Sequence, residues 1–325
     1  MNSLHPVFSD IIRPVRPFIN AFQIAFQKEF ESIKTTYGLD FDTRHFNKGK
    51  HLRPVLFFLC QGLINKPKKN TVDVAVMLEL IHTASLIHDD VIDKSHKRRG
   101  QKSLNAALGN HFSVLVGDYM IARMMMMGSS RENGYIMHLS NAIMHMIRSE
   151  LEQAIYEKTG HIEEENYFSI INGKTGALFE AAGALAGYAT GALENQIQQL
   201  RRFGHHFGLA FQIKDDLLDF TGSSTKMGKP VYQDIQGGRW TLPMIRAFHE
   251  LPERDQQYFQ QQVMADEVSQ DELIQMIYNQ RGIEKTLSDL DECSQKARQA
   301  VLDFPESKYR FALQRMIDYN KDRHS

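Results

Sequence analysis

Several things are missing from this chain, and each absence narrows the reading. Cysteine occurs only at Cys60 and Cys293, far apart and without metal or redox spacing. A disulfide framework is thereby excluded, and both read as packing residues of a protein kept in a reducing cytosol. Charge of one sign is not in excess: 38 Lys and Arg face 39 Asp and Glu, for a net charge of −1. That removes any nucleic-acid or anionic-membrane footprint from the total. No uninterrupted apolar run approaches a membrane span, and the first residues carry Asp10, Arg13 and Arg16, which excludes a signal peptide. A soluble, cytoplasmic protein is expected. Proline is absent between Pro67 and Pro230, a stretch rich in Ala, Leu, Ile, Met and Glu, as long helices require. Alternating β-branched runs are scarce, and no Ser/Pro/Gly linker divides the chain. The expectation is one all-α domain over residues 1–325, a large helical bundle, with its most open loop from Thr221 to Gly238.

What is present is an acidic pentapeptide, Asp-Asp-x-x-Asp, written twice: Asp89, Asp90, Asp93 and then Asp215, Asp216, Asp219. On a helix, residues i and i+4 share a face, so Asp89 aligns with Asp93 and Asp215 with Asp219. A solvated helix face is the bland alternative. Against it stand the flanks, Leu78 to His88 and Gly208 to Ile213, which are too apolar for water-facing helices. Acids ending such helices are costly unless something binds them. The natural partner is a hard divalent cation, Mg²⁺ above all, which takes carboxylate oxygen and keeps part of its shell for substrate phosphate. All six acids are candidate metal residues.

Basic residues complete the pattern. Lys94-Ser95-His96-Lys97-Arg98-Arg99-Gly100 follows the first acidic set within one or two turns. Shared between Mg²⁺ and guanidinium forks, a diphosphate would be well held there. More positive charge sits at Lys48, Lys50 and Arg53, at Lys174, and at Lys226 and Lys229. No Ser/His/Asp or Cys nucleophile arrangement is apparent.

From about Lys48 onward the chain resembles the trans-isoprenyl diphosphate synthases of the polyprenyl synthetase type. The ordered matches are Gly49-Lys50-x-x-Arg53-Pro54, His82, the first acidic set, Arg98-Arg99-Gly100, Gly117-Asp118, Lys174-Thr175-Gly176, Gln212 with the second acidic set, Gly228-Lys229-Pro230 and Thr241-Leu242-Pro243. The resemblance implies the isoprenoid synthase fold with a central apolar cavity. It implies that Lys50, Arg53, His82 and Arg99 hold the diphosphate of isopentenyl diphosphate. Arg98, Lys174, Thr175, Gln212 and Lys229 would hold that of an allylic partner such as farnesyl diphosphate. Asp89, Asp93 and Asp215 would ligate metal directly, with Asp90, Asp216 and Asp219 behind them, although helix geometry alone leaves the six undivided. A homodimer is also implied. Two departures stand out: His51 replaces a usual Arg, and Arg239 with Trp240 stands where a Lys is usual.

The implied chemistry is ionisation of the allylic diphosphate, attack by the double bond of isopentenyl diphosphate, and loss of a proton to the released diphosphate. Asp89, Asp93 and Asp215, with Arg98, Lys174 and Lys229, would neutralise the leaving group. Product length is read from one stripe of the helix ahead of Asp89: Leu78, Ile81 and Ser85, with Ala84 beside it. In families of this type bulky aromatics four or five residues back shorten the product, and both positions are small here. The stripe spans roughly 16 Å, with Met124 to Met127 as candidate walls, so about six to ten isoprene units are expected. A farnesyl or geranylgeranyl synthase and a non-catalytic partner subunit are the alternatives. The small residues at 84 and 85 speak against the farnesyl form, and the two complete acidic triads against the subunit. A terpene cyclase has no need of Lys50, Arg53 and Arg99.

Overall fold

The computed structural model describes residues 6–43, 46, 49–98, 100–131, 134–159, 163–221, 239–264 and 268–323. Among these residues the elements are helices, apart from one two-stranded hairpin. They group into two compact units, between which the chain crosses five times. Unit 1 holds Met1–Ile143, Leu178–Arg201 and Val301–Met316, and unit 2 holds Met144–Ala177, Arg202–Ala300 and Ile317–Ser325.

Unit 1 starts with α1 (Pro6–Ile12) and α2 (Arg16–Tyr37). In α2 the buried residues Ile19, Phe22, Phe26, Phe30 and Ile33 recur every three or four positions, the stripe that turns one helix face to a core. The rings of Phe22, Phe26 and Phe30 touch in sequence, with centroids 5.4 and 5.0 Å apart. Gly38 ends the helix at φ 62°, a conformation that costs glycine nothing. Next come α3 (Leu52–Ile64) and α4 (Val72–Ile92), the latter packed against α2, α3 and α6 (Asn110–Ser129). Helix α4 is buried nearly all round, from Val74 to Ile81 without a break, which marks it as the core helix of the unit. The stretch Lys69–Ile92 is apolar and long enough to cross a membrane, but 67% of its most apolar window is buried inside the fold. Full burial of side chains such as Leu78 and Met77 stabilises by about 1.5–3 kcal/mol each. Gly117 on α6 lets α4 approach: a Cβ there would lie 2.2 Å from His88 Nε2.

The sequence Lys94–Gly100 does not continue α4. Lys94 takes φ 50°, the left-handed region, and ends the helix. The chain then forms the hairpin β1 (Lys97–Arg98) and β2 (Gln101–Lys102), turning at Gly100 with φ 73°. The short helix α5 (Leu104–Leu108) leads into α6. Helix α7 (Tyr135–Thr159) passes from unit 1 to unit 2 at residue 144.

In unit 2, α8 (Glu164–Ile171) runs into a π-helical turn, Asn172–Gly176, ahead of α9 (Ala177–Thr190). Gly173 is needed in that turn, since a Cβ would lie 2.6 Å from the His145 carbonyl and 2.7 Å from Ser149 Cβ. Helix α10 (Glu194–Thr221) belongs to unit 2 from Arg202 onward. It packs around Ile213 and Leu217 with Trp240, Leu242, Ile277 and Leu290 of the later segments. Those segments include α11 (Leu242–Phe248), α12 (Glu253–Met264), α13 (Gln270–Asn279) and α14 (Gly282–Ala300); α15 (Lys308–Asp322) follows and passes from unit 1 to unit 2 at residue 317.

Candidate active site

The first acidic set closes α4. Asp93 is the C-cap, and its N–H donates to the Asp89 carbonyl at 2.8 Å. Three carboxylates at a helix C-terminus meet the negative end of the macrodipole, which adds to the demand for a cation. The three differ in setting: Asp93 is exposed, Asp89 half-buried and Asp90 buried. The hairpin brings Arg98 back onto Asp90, with Nε donating to Oδ2 at 2.8 Å and Nη2 lying 2.8 Å from Oδ1. A charge-assisted bond with the second nitrogen close by is a strong hold on a carboxylate. Asn105 then donates to the Asp90 carbonyl at 2.9 Å. Arg98, which the resemblance gave to an allylic diphosphate, thus spends its guanidinium on Asp90 in this structure.

Beside Asp90 opens a cavity of about 660 Å³, lined among others by Glu79, His82, Thr83, Arg98 and Lys102. Behind it, His51 enters α3 in the left-handed conformation with φ 47° and turns inward. Its Nδ1 lies 2.9 Å from Glu79 Oε1, with the Phe22 and Phe26 rings at 5.1 and 5.9 Å. Burial opposes ionisation of Glu79, but the charge and hydrogen bond of His51, followed by His82 and Arg53, hold its carboxyl down to about 2. His51 therefore braces the entry to α3 from within, whereas Lys50 next to it is exposed. Arg53 is buried, its guanidinium 4.5 Å from the centre of the Phe179 ring.

The second acidic set lies in the last turns of α10. Asp216 is 5% exposed, while Asp215 and Asp219 are half-buried. Gln212 donates to Asp216 Oδ1 at 3.0 Å, and the Tyr167 phenol donates to Oδ2 at 2.6 Å. Thr175, held in the π-turn, donates to Gln212 Oε1 at 2.7 Å. Burial, then the charge and hydrogen bond of Asp216, push the Tyr167 phenol well above its usual 10, so it stays a donor. Lys174 points to Glu150, 2.7 Å away, and to Gln153. A cavity of about 140 Å³ lies among Tyr156, Tyr167, Lys174, Gln212, Asp216 and Trp240. Arg239 reaches Glu157 at 3.2 Å. Past α15, Arg323 lies 2.6 Å from Asp215 Oδ1, donates to the Phe211 carbonyl at 2.8 Å, and stacks 4.1 Å from the Phe211 ring centre.

Tyr167 and Arg323 escaped the sequence reading. A Tyr seven residues before Lys174 shares its helical face by spacing, which was the available signal for the first. For Arg323 only a basic, helix-like end was legible. Arg99, Lys48, Lys226 and Lys229, with the loop Gly222–Gly238, lie outside the described residues. Of the length residues, Leu78, Ile81 and Ala84 are buried, and Ser85 is half-buried with its hydroxyl donating to the His82 carbonyl at 2.9 Å. The Met124–Met127 wall needs correcting. Met124 is buried and Met127 half-buried, but Met125 and Met126 are exposed, because 100° per residue carries them off the face that Met124 uses.

Comparison with known proteins agrees with this geometry. The sequence profile of the polyprenyl synthetase family matches residues 41–280. The chain belongs to the polyprenyl synthetase family. It is a prenyltransferase with the all-α isoprenoid synthase fold. An octaprenyl diphosphate synthase of Haemophilus influenzae is 32% identical over 283 residues, 85% of this chain and 84% of the relative. A decaprenyl diphosphate synthase from Rhodobacter capsulatus superposes with a TM-score of 0.86 at 28% identity, covering 98% of this chain and 99% of its own. A polyprenyl synthase from Caulobacter crescentus, complexed with calcium and isoprenyl diphosphate, gives a TM-score of 0.86 at 25% identity over 98% of each chain.

Proposed function

We propose that the protein is a long-chain trans-polyprenyl diphosphate synthase, condensing isopentenyl diphosphate head-to-tail onto an allylic diphosphate such as farnesyl diphosphate. The observation that carries this is the division of labour within each acidic set: one aspartate is buried and held by protein donors, and its companions reach solvent. That is what a metal–diphosphate complex needs from a protein. Among the described residues no three His, Cys, Asp or Glu form a group able to hold a metal alone. The donor set still suits Mg²⁺, which binds few carboxylates and draws further oxygens from substrate phosphate. Asp89 and Asp93 at the end of α4, and Asp215 at the end of α10, would each offer carboxylate oxygen to such an ion, which when bound supplies the charge that stabilises the departing diphosphate. The Caulobacter relative, with calcium and isoprenyl diphosphate in its structure, supports a divalent cation of this kind.

The chain's own residues then do the following. Lys50, Arg53 and His82 bind the non-ionising diphosphate, Arg53 from a buried position that fixes its direction. Lys174, Thr175 and Gln212 hold the allylic diphosphate, and Lys174 exchanges Glu150 for phosphate oxygen. The apolar length of α4 accepts the growing hydrocarbon and keeps water from the allylic cation. Length is supported by the small residues Ala84 and Ser85 ahead of a long buried stripe, and by the octaprenyl and decaprenyl names of the relatives above.

A homodimer fits one further feature. Met144, Ile147, Leu151 and Ile155 form a stripe along α7, each at least half exposed, which is more apolar surface than a solitary helix face normally leaves in water. Two reduced, buried cysteines fit a cytoplasmic setting. The test is incorporation of labelled isopentenyl diphosphate with farnesyl diphosphate as primer. Product is expected with Mg²⁺ and none after chelation by EDTA. Incorporation that survives chelation, or none under any condition, contradicts the proposal.

A further inference from the structure

Tyr167 has no part in the chemistry just proposed, yet its phenol is buried against the second acidic set. It donates to Asp216 Oδ2 at 2.6 Å, while Gln212 donates to Oδ1 at 3.0 Å. Thr175 fixes Gln212 in turn, donating to its Oε1 at 2.7 Å. Both oxygens of a carboxylate that is 5% exposed are thus engaged by the protein. One lone pair on each oxygen is thus committed to a fixed protein donor, which sets the direction of the buried carboxylate. The donor side is braced as well. At the start of α8, Glu164 accepts from Arg246 Nη1 at 2.6 Å, and Arg246 is itself forked onto Asp289 at 2.9 and 2.7 Å. Tyr167 is therefore held from its own helix and does not follow Asp216 passively.

Resting on the metal reading above, we infer that Tyr167 is a positioning residue, whose hydroxyl holds Asp216 as a fixed buried anion so that Asp215 and Asp219 are presented to the metal–diphosphate. Neutral donors suit the task. Tyr and Gln fix the direction of the carboxylate as neutral donors, which add no opposing charge of their own. Arg98 on Asp90 does the opposite: it fixes the direction and neutralises. The hydroxyl of Tyr167 is thus worth more to cation affinity than to folding.

The experiment is a Mn²⁺ titration of the full chain, free ion counted by electron paramagnetic resonance. The proteins compared are wild type, Tyr167→Phe, Asp216→Asn and the double variant. Tyr167→Phe keeps the ring and removes one hydrogen bond; Mn²⁺ binding is expected to weaken about tenfold, the low end of the range for groups bonded directly to a metal ligand, since Tyr167 acts one residue further away. In the Asp216→Asn background the same change should cost nothing further, since the hydroxyl acts through Asp216. Should Tyr167→Phe not fold, Gln212→Leu breaks the other bond to the same carboxylate and carries the same expectation. An unchanged Mn²⁺ affinity, or an equal loss in both backgrounds, overturns the role given to Tyr167. If wild type binds Mn²⁺ and forms product while Tyr167→Phe binds as wild type does, only this inference fails. If wild type binds no Mn²⁺ without substrate, the comparison is read from the Mn²⁺ dependence of product formation, where Tyr167→Phe is expected to need about tenfold more ion; if no product forms either, the metal reading fails and takes the inference with it.

Discussion

The end of α4 and the end of α10 carry the same pentapeptide in the same place on a helix, and the protein supports them differently. In both, the second aspartate is the buried one. At α4 a guanidinium anchors it: Arg98 Nε donates to Asp90 Oδ2 at 2.8 Å and its Nη2 lies 2.8 Å from Oδ1, from a hairpin that is itself open to solvent. At α10 neutral groups anchor it, with Tyr167 and Gln212 on Asp216. One residue earlier, Arg323 meets Asp215. A repeated motif therefore fixes which acids are available, while the fold decides how much of their charge remains for a cation. The helix period explains the first part, since i and i+4 share a face and i+1 turns away from it. Nothing in the motif encodes the second.

The comparison breaks most visibly if the solvent-reaching acids are unequal. Asp89→Ala and Asp215→Ala are each expected to lower kcat by about 10²–10³-fold or more, as removal of charge-stabilising groups does. Steady-state incorporation at saturating substrate checks this; a silent variant at either end removes that set from the chemistry.

Acid stability sharpens it next, because α4 also carries Glu79. Its carboxyl is held at about 2 in the fold against an ordinary 4.5. The folded form is favoured above the unfolded value, and the gain is lost as pH falls from 4.5 towards 2. About 3 kcal/mol is at stake over that window. Glu79→Gln should flatten the acid limb of stability against pH, followed by urea unfolding. An unaltered limb contradicts the His51–Glu79 brace.

The smallest effects distinguish the two anchors. Asp90→Asn should cost about 1–3 kcal/mol in urea unfolding, since it leaves a part-buried guanidinium poorly matched. Much of that should fade at high salt, because Arg98 is about one-third exposed. Asp216→Asn, against neutral donors, should cost about 1 kcal/mol with little salt dependence. The reverse ranking would mean that the hairpin does not hold Asp90 in solution.

The helices, the two acidic sets and the core character of α4 were legible from proline placement, spacing and flanking apolarity. Those are local properties, and local periodicity is what a sequence displays directly. The route of Lys94–Gly100 was not: a basic run after a helix looks the same whether it continues the helix or folds back, and Lys94 enters the left-handed region without a glycine to announce it. His51 was legible as a departure from the family pattern but not as an inward brace, because its partner Glu79 lies 28 residues on. The methionine run was misjudged as one wall, although the helical period already separates Met125 and Met126 from Met124. Tyr167 and Arg323 matter through contacts 49 and 108 residues away in the chain, and only the fold brings those together.

The measurement that tests the central claim most directly is the product ladder. Purified protein is incubated with Mg²⁺, farnesyl diphosphate and labelled isopentenyl diphosphate, and the dephosphorylated alcohols are sized beside those of Ala84→Phe. A discrete wild-type product of about six to ten isoprene units is expected, shortened by the phenylalanine, because a ring at Ala84 stands beside Ser85 about one helical turn from Asp89, above Ile81 and Leu78. A wild-type product that stops at about three or four units, or a ladder that Ala84→Phe leaves unchanged, would contradict the reading of α4 as the wall that sets the length.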